Sequence, residues 1–156
     1  MLENVLIIHN IRSVTNVGAM FRTADAAGIN KIYLTGYTPT PLDRFGRIRK
    51  DMAKSALGAE DYVKWEYKKS LPVILRSLRW ENFYIIGLEQ DKKSVDYKKI
   101  KLKNKNAFIV GTEVSGITKS ILNRCDIIAE IPMKGKKESL NVSVALGIAL
   151  FRILNI

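Results

Sequence analysis

Short apolar runs alternate with longer stretches of mixed polarity along the whole chain. Asn4–Ile8 (NVLII) is compact and mostly apolar, which predicts a buried strand. From Asn16 to Ala27 the spacing becomes helical and stops at Gly28, a residue suited to a helix C-terminus. Lys31–Leu34 (KIYL) reads as a second strand. Gly36, Pro39, Pro41 and Gly46 then mark a loop from Thr35 to Ile48. Further on, helices are predicted over Lys50–Leu57, Leu71–Arg79 and Lys119–Cys125, and strands over Tyr62–Trp65, Phe83–Leu88, Ala107–Val110 and Ile127–Ile131. Pro132–Glu138 is a loop, and Asn141–Leu154 is the last helix. Apolar strands separated by helices predict an α/β fold with a mainly parallel sheet flanked by helices. The lysine-rich run from Lys92 to Lys105 reads as a surface connection.

The last helix is apolar nearly all round: Val142, Val144, Leu146, Ile148, Leu150, Phe151 and Ile153 point in every direction. Such a helix must be buried on every side. In a domain of 156 residues that requires either a central position or a partner subunit, and burial at a homodimer interface is the expectation.

Composition narrows the function classes. The length of 156 residues suits one domain, residues 1–156. One cysteine, Cys125, cannot form an internal disulfide, and with one histidine, His9, it cannot build a Cys/His zinc site. No cluster of acidic residues has ligand spacing, so no metal is expected. The N-terminus lacks the basic start of a signal peptide, and no stretch reaches the roughly 20 apolar residues of a membrane helix. A cytoplasmic protein is expected, with no membrane partner. Lys and Arg number 26 against 15 Asp and Glu, a formal charge of +11, which points to a polyanion such as nucleic acid.

Three constellations carry candidate chemistry. In the first, Asn16, Gly18 and Arg22 stand at i, i+2 and i+6. If Asn16 opens the helix, Gly18 admits a close backbone or ligand, and Arg22 shares a broad face with Asn16. An asparagine cap, a packing glycine and a solvated arginine give the same pattern. In the second, Gly111, Glu113 and Gly116 follow a strand directly. Ile117 stands where a phosphate-binding loop needs lysine, and no G-x-G-x-x-G is present, so neither nucleotide fingerprint fits. A tight glycine loop remains at a strand's C-terminal end, where ligand sites of α/β proteins lie. In the third, Pro132 and Gly135 shape a loop before Ser139 and Asn141, which can cap the final helix or meet a ligand.

In this order and at these spacings the three constellations resemble the motifs of the SpoU (TrmH-like) ribose methyltransferases of the SPOUT superfamily. The matches are Asn16, Gly18 and Arg22; Gly111, Glu113 and Gly116; and Ile131–Met133 with Ser139–Ser143. Lys54–Ala59 (KSALGA) is similar to the family as well, and the likeness spans essentially the whole chain. A single methyltransferase domain over residues 1–156 is therefore expected, without the added RNA-binding domain or terminal extensions that many members of the family carry. The resemblance implies a C-terminal deep trefoil knot, a homodimer, and S-adenosylmethionine as co-substrate for methylating a ribose 2′-hydroxyl in tRNA or rRNA. By position, it implies that Leu88, Gly111, Ile131, Met133 and Leu140 line the cofactor cleft. It assigns catalysis to Arg22, with Asn16, Glu113, Ser139 and Asn141 positioning the reactants.

A guanidinium stays protonated at physiological pH. Arg22 is therefore expected to bind the target phosphate and stabilise a developing alkoxide rather than act as a simple base. His9 is a candidate base, or simply an end-of-strand histidine, and Cys125 is expected to be structural. Arg44, Arg47, Arg49 and Lys54, with Lys134 and Lys136, are expected to contact RNA phosphates. Phe45 is expected either to stack on an unpaired base or to fill the core. The Lys92–Lys105 run is either a solvated face or a further RNA contact. Two other readings stand beside the enzyme: a catalytically silent RNA-binding or assembly factor on the same fold, and a base methyltransferase of the wider superfamily.

Overall fold

A computed structural model describes residues 2–156. Among them, seven strands form one sheet: β1 (Glu3–His9), β2 (Lys31–Thr35), β3 (Trp65–Lys68), β4 (Tyr84–Leu88), β5 (Val95–Asp96), β6 (Lys105–Val110) and β7 (Ile127–Glu130). The order is β3-β2-β1-β6-β4-β7-β5, and every pairing is parallel. Two late strands enter between earlier ones: β6 lies between β1 and β4, and β7 lies between β4 and β5. The helices are α1 (Val14–Ala26), α2 (Lys50–Ala56), α3 (Ala59–Tyr62), α4 (Leu71–Trp80), α5 (Lys119–Leu122) and α6 (Val142–Leu154).

The central strands are apolar throughout because both faces of the sheet are covered. Alternate residues serve opposite layers. Leu6, Ile8 and Phe108 face the layer of α1, α2 and α6, with Phe21, Met52 and Leu150. Val5, Ile7, Ala107 and Ile109 face the layer of α4 and α5, with Leu71, Leu75 and Ile121. At the lower end of β1 and β6, Asn106 is fully buried. Its side-chain nitrogen donates to the Asn4 side chain at 3.0 Å and to the Lys103 carbonyl at 2.8 Å, so its burial leaves that donor satisfied.

Helix ends follow local chemistry. Ser13 caps α1, its hydroxyl accepting from the Asn16 N–H at 3.1 Å. Helix α1 thus starts two residues before the expected point, and Asn16 lies inside its first turn rather than at its cap. At the other end Gly28 adopts φ +68°; its N–H reaches the Asp25 carbonyl, and the Ile29 N–H reaches that of Ala24. This is the glycine-ended closure expected at Gly28. Gly18 lies where α1 meets α2: a Cβ there would come within 1.9 Å of Ser55 Oγ and 2.8 Å of the Met52 carbonyl oxygen. Its role is close backbone packing.

Two expectations are corrected. The strand expected over 62–65 lies at β3, because Gly58 (φ +89°) starts the short helix α3 over Ala59–Tyr62. Strand pairing begins only with Trp65 opposite Ile32. The run from Lys92 to Lys105 is more than a surface connection. Val95 and Asp96 form the sheet's edge strand beside Ala129 and Glu130, and Ile100 is buried among core residues. Lysines alternate there with apolar anchors, so charge conceals the strand.

Candidate active site

The C-terminal ends of β4, β6 and β7 open into a cleft of about 360 Å³, roofed by the loop before α6 and the start of that helix. This is where an α/β sheet whose strand order reverses binds its ligand. Leu88, Gly111, Ile131, Met133 and Leu140 all line it. Ala145 and Ala149 of α6 add apolar wall, and Glu113, Ser139 and Asn141 supply polar groups.

The glycine loop after β6 is built by its own backbone. Thr112 and Gly116 exchange N–H···O bonds of 3.2 and 2.9 Å. A Cβ on Gly111 would fall 2.6 Å from the Gly116 backbone, so only glycine permits this closure. Gly116 has φ +64°, and a Cβ there would collide with the Glu89 carboxylate. That carboxylate, just past β4, accepts from the Ile117 N–H at 2.8 Å and from the Gln90 N–H at 2.8 Å. Glu89 therefore ties the end of β4 to the glycine loop. No motif in the sequence marks Glu89; its signal there is its place, one residue beyond an apolar strand that ends at the cleft.

Glu113 faces the start of α1. Its carboxylate accepts from the N–H groups of Arg12 and Ser13 at 3.4 and 3.3 Å, and from the Asn16 side chain at 3.4 Å. Partial burial pushes its carboxyl up. Hydrogen bonds from its own N–H, Ser13, Arg12 and Asn16 outweigh this and hold it below the ordinary carboxylate range. The Asn16 side-chain oxygen in turn accepts from the Asn141 side chain at 3.3 Å. Asn141 caps α6, its oxygen accepting from the Ser143 N–H at 2.9 Å. One chain of polar contacts thus joins members of all three constellations.

Arg22 is not brought into this group. Six residues of helix leave it about 120° around α1 from Asn16. It is exposed, and among the described residues it has no hydrogen-bond or ion-pair partner. The broad face expected for Asn16 and Arg22 is thus not a shared one within this chain. His9 packs structurally. Asn10 donates to Nε2 at 3.2 Å, so Nδ1 carries the proton and donates to the Thr35 hydroxyl at 2.8 Å. Burial lowers its pKa. Burial also pushes the Cys125 thiol up to about 12, with Asp126 adding to the effect, so the thiolate is scarce and the sulfur inert.

The basic residues lie elsewhere. Arg44, Arg47 and Arg49 line a second hollow, which begins at Gly36 just past the end of β2. Lys54 is exposed on α2, and Lys134 and Lys136 are exposed on the loop before α6. Phe45 is 65% exposed, which removes the core-filling reading. Among the described residues there is no group of three or more metal-ligating side chains, and no helix is long and apolar enough to cross a membrane.

A parallel sheet with a glycine-walled cleft above its strand ends, polar at one rim and aliphatic inside, defines a small-molecule-binding α/β domain. The chain belongs to the SpoU rRNA Methylase family, whose model matches residues 3–151. It is 33% identical over 147 residues to the 23S rRNA (guanosine-2′-O-)-methyltransferase RlmB of Xylella fastidiosa, a match covering 94% of this chain and 56% of that protein. The chain thus spans little more than half the length of such relatives. An AdoMet-bound rRNA methyltransferase from Sinorhizobium meliloti shares the fold with a TM-score of 0.84 at 25% identity, over 98% of this chain and 56% of that one. The A. aeolicus TrmH/SpoU tRNA modifying enzyme gives 0.85 at 25% identity, over 99% of this chain and 75% of that one.

Proposed function

We propose that this chain transfers a methyl group from S-adenosylmethionine to a ribose 2′-hydroxyl of RNA. The observation that carries the reading is the cleft itself, with its glycine loop tied through Glu113 and Asn16 to Asn141. The residues present suit the co-substrate. Leu88, Ile131, Leu140 and Ala145 offer an aliphatic slot for a flat ring. The backbone of the glycine loop has room for close approach, and Ser139 and Asn141 offer hydrogen bonds at the rim. When bound, the co-substrate supplies a methyl group already activated by its sulfonium, so the reaction calls on no metal Lewis acid.

The chain's own residues orient and stabilise. Glu113 and Asn141 hold the Asn16 amide between them, which fixes the rim where the ribose approaches. Ser139 and Asn141 position the ribose and the methionine end. Arg22, kept charged, binds the target phosphate and stabilises oxygen charge as the 2′ oxygen takes the methyl group and its proton passes to water. Arg44, Lys54, Lys134 and Lys136 bind phosphates around the site, whereas Arg47 and Arg49, expected to do the same, are each paired to a carboxylate, Asp43 and Asp51, and shape the basic wall instead.

Two copies pair through α6 in this reading. Leu146, Leu150 and Ile153 are buried within the chain, whereas Val144, Ile148 and Phe151 are 40–50% exposed as one apolar stripe. Thr23, next to Arg22, lies 3.8 Å from where a Cβ on Gly147 would be. A second copy on that stripe therefore sits near Arg22. The insertion of β6 and β7 between earlier strands supports a C-terminal trefoil knot. Residues 1–156 act as one methyltransferase domain, working in the cytoplasm where rRNA and tRNA are found. A guanosine of 23S rRNA is the first substrate to try, since that is what the Xylella relative is named for.

Calorimetric titration with S-adenosylmethionine and S-adenosylhomocysteine tests the cleft, and nucleoside mass spectrometry of treated RNA tests the reaction. About one ligand per chain and a 2′-O-methylated nucleoside are expected. Base-methylated nucleosides alone refute ribose chemistry, and RNA binding without any S-adenosyl ligand favours the silent binding factor.

A further inference from the structure

Between β2 and α2 the chain makes an excursion that the cleft does not use. Leu42 pairs with Ile48 across its neck. At its tip the Asp43 carboxylate accepts from the N–H groups of Phe45 and Arg47 at 2.8 and 3.0 Å, and from Arg47 Nε at 2.8 Å. This small cage holds Phe45 out toward solvent. The Arg44 and Arg47 guanidinium groups lie 4.7 and 4.9 Å from its ring centre. Between the tip and the end of β2 is an open hollow of about 970 Å³ that also has Tyr37 and Tyr67 in its wall. Tyr37 is 51% exposed, and the Arg12 guanidinium lies 5.4 Å from its ring centre.

We propose that this hollow receives an unpaired RNA nucleotide lying alongside the ribose to be methylated; the proposal rests on the RNA-methylation reading above. Three aromatic rings, two of them beside guanidinium groups, line one open site and suit a flat base. They are useless to a duplex, whose bases hide their faces. The charges sort the same way. Asp43 neutralises Arg47, and Asp51 neutralises Arg49 at 2.9 Å. Among the described residues Arg12, Arg44 and Lys50 meet no carboxylate side chain within ion-pair distance, so they remain for phosphates. An acidic peptide would satisfy those cations but leave the rings in water. The hollow also joins the cleft through one short segment. The Arg12 N–H donates to Glu113 at the cleft rim while its side chain lies over Tyr37, and the Asn10 side chain accepts from the Tyr37 N–H at 3.1 Å.

The test is fluorescence anisotropy of the whole chain with a short single-stranded RNA and with the same sequence as a duplex, across a salt series. S-adenosylhomocysteine titration runs in parallel. Phe45→Ala is expected to weaken single-strand binding by about 5- to 100-fold, to leave duplex binding within twofold, and to leave S-adenosylhomocysteine affinity unchanged. Phe45→Trp is expected to restore it. Arg44→Ala is expected to lower the salt slope by about one. The exposed ring makes Phe45→Ala neutral for folding, which a thermal melt checks. Wild-type affinity in Phe45→Ala, an equal loss for duplex, or competition by polyglutamate as strong as by RNA overturns the proposal. If no S-adenosyl ligand binds but Phe45→Ala still selectively loses single-stranded RNA, the methylation reading falls and the nucleotide hollow stands.

Discussion

The Asn141 side chain donates to the Asn16 side-chain oxygen at 3.3 Å, although the two residues are 125 positions apart in sequence. Asn16 also donates to Glu113, so one amide spans a helix start on each side and the glycine loop between them. Asn16→Ala removes both contacts. Turnover at saturating co-substrate should fall about 100-fold through lost orientation. The melting temperature should fall by only about 2–4 °C, as for about 1 kcal/mol in a domain of this size. Asn16→Asp sets a carboxylate against Glu113 and should melt lower still at pH 7. That extra deficit should shrink as pH falls towards about 4, where the two facing carboxyls can share a proton. Equal melting of the two variants at pH 7 counts against the Glu113 contact.

Glu89 buttresses the glycine loop by accepting from the Ile117 N–H at 2.8 Å. Glu89→Ala frees the loop without emptying the core. S-adenosylhomocysteine affinity should drop about tenfold, the size of one hydrogen bond to a charged group. Gly116→Ala attacks the same contact from the other side, adding strain at φ +64° and a clash with that carboxylate. It should lose at least as much affinity. Calorimetry on both variants checks this, and unchanged binding in Glu89→Ala would separate Glu89 from the cleft.

Much of this was legible from residue types. Apolar runs marked the central strands because a sheet covered on both faces needs no alternation. Gly28 marked the end of α1 because a positive φ there suits glycine. The start of α1 was misplaced because Ser13 and Asn16 are both good caps, and only tertiary packing shows which one holds the helix. The β5 edge was hidden because lysines surround Val95 and Tyr97. The family resemblance implied residues that line the cleft, but not Glu89, whose value comes from a neighbour 28 positions away. The six-residue spacing of Asn16 and Arg22 already sets them about 120° apart on a helix, so the expectation of a shared face was too generous.

His9 makes stability depend on pH. Its ordinary pKa is 6.5, and burial lowers it in the folded chain. Between those values the unfolded chain carries a proton that the folded chain refuses. Stability therefore holds above about pH 6.5 and declines as pH falls below it, by at most 1.36 kcal/mol per pH unit. His9→Gln removes this titration and should flatten the melting temperature between pH 6.5 and 5.5 relative to wild type. Parallel curves for the two proteins would show that His9 does not refuse the proton.

The exposed stripe on α6 makes the last prediction. Val144, Ile148 and Phe151 recur at helical spacing and stay 40–50% exposed, while the opposite face is buried against the sheet. An isolated chain gains nothing from keeping that stripe apolar, so a second copy should cover it. A stable pair needs roughly 800 Å² from each partner, so neighbouring surface, including the side of α1 that carries Arg22, must join the contact. Ile148→Glu places a charge at the stripe's centre, where burial without a partner is costly. Sedimentation velocity should give twice the monomer mass for wild type and the monomer mass for Ile148→Glu, with an unchanged far-ultraviolet spectrum. If in the pair Arg22 serves the cleft of the second copy, methyl transfer should fall in the variant even at saturating S-adenosylmethionine. A monomeric wild type with full activity would instead require Arg22 to reach its own cleft by a movement of α1.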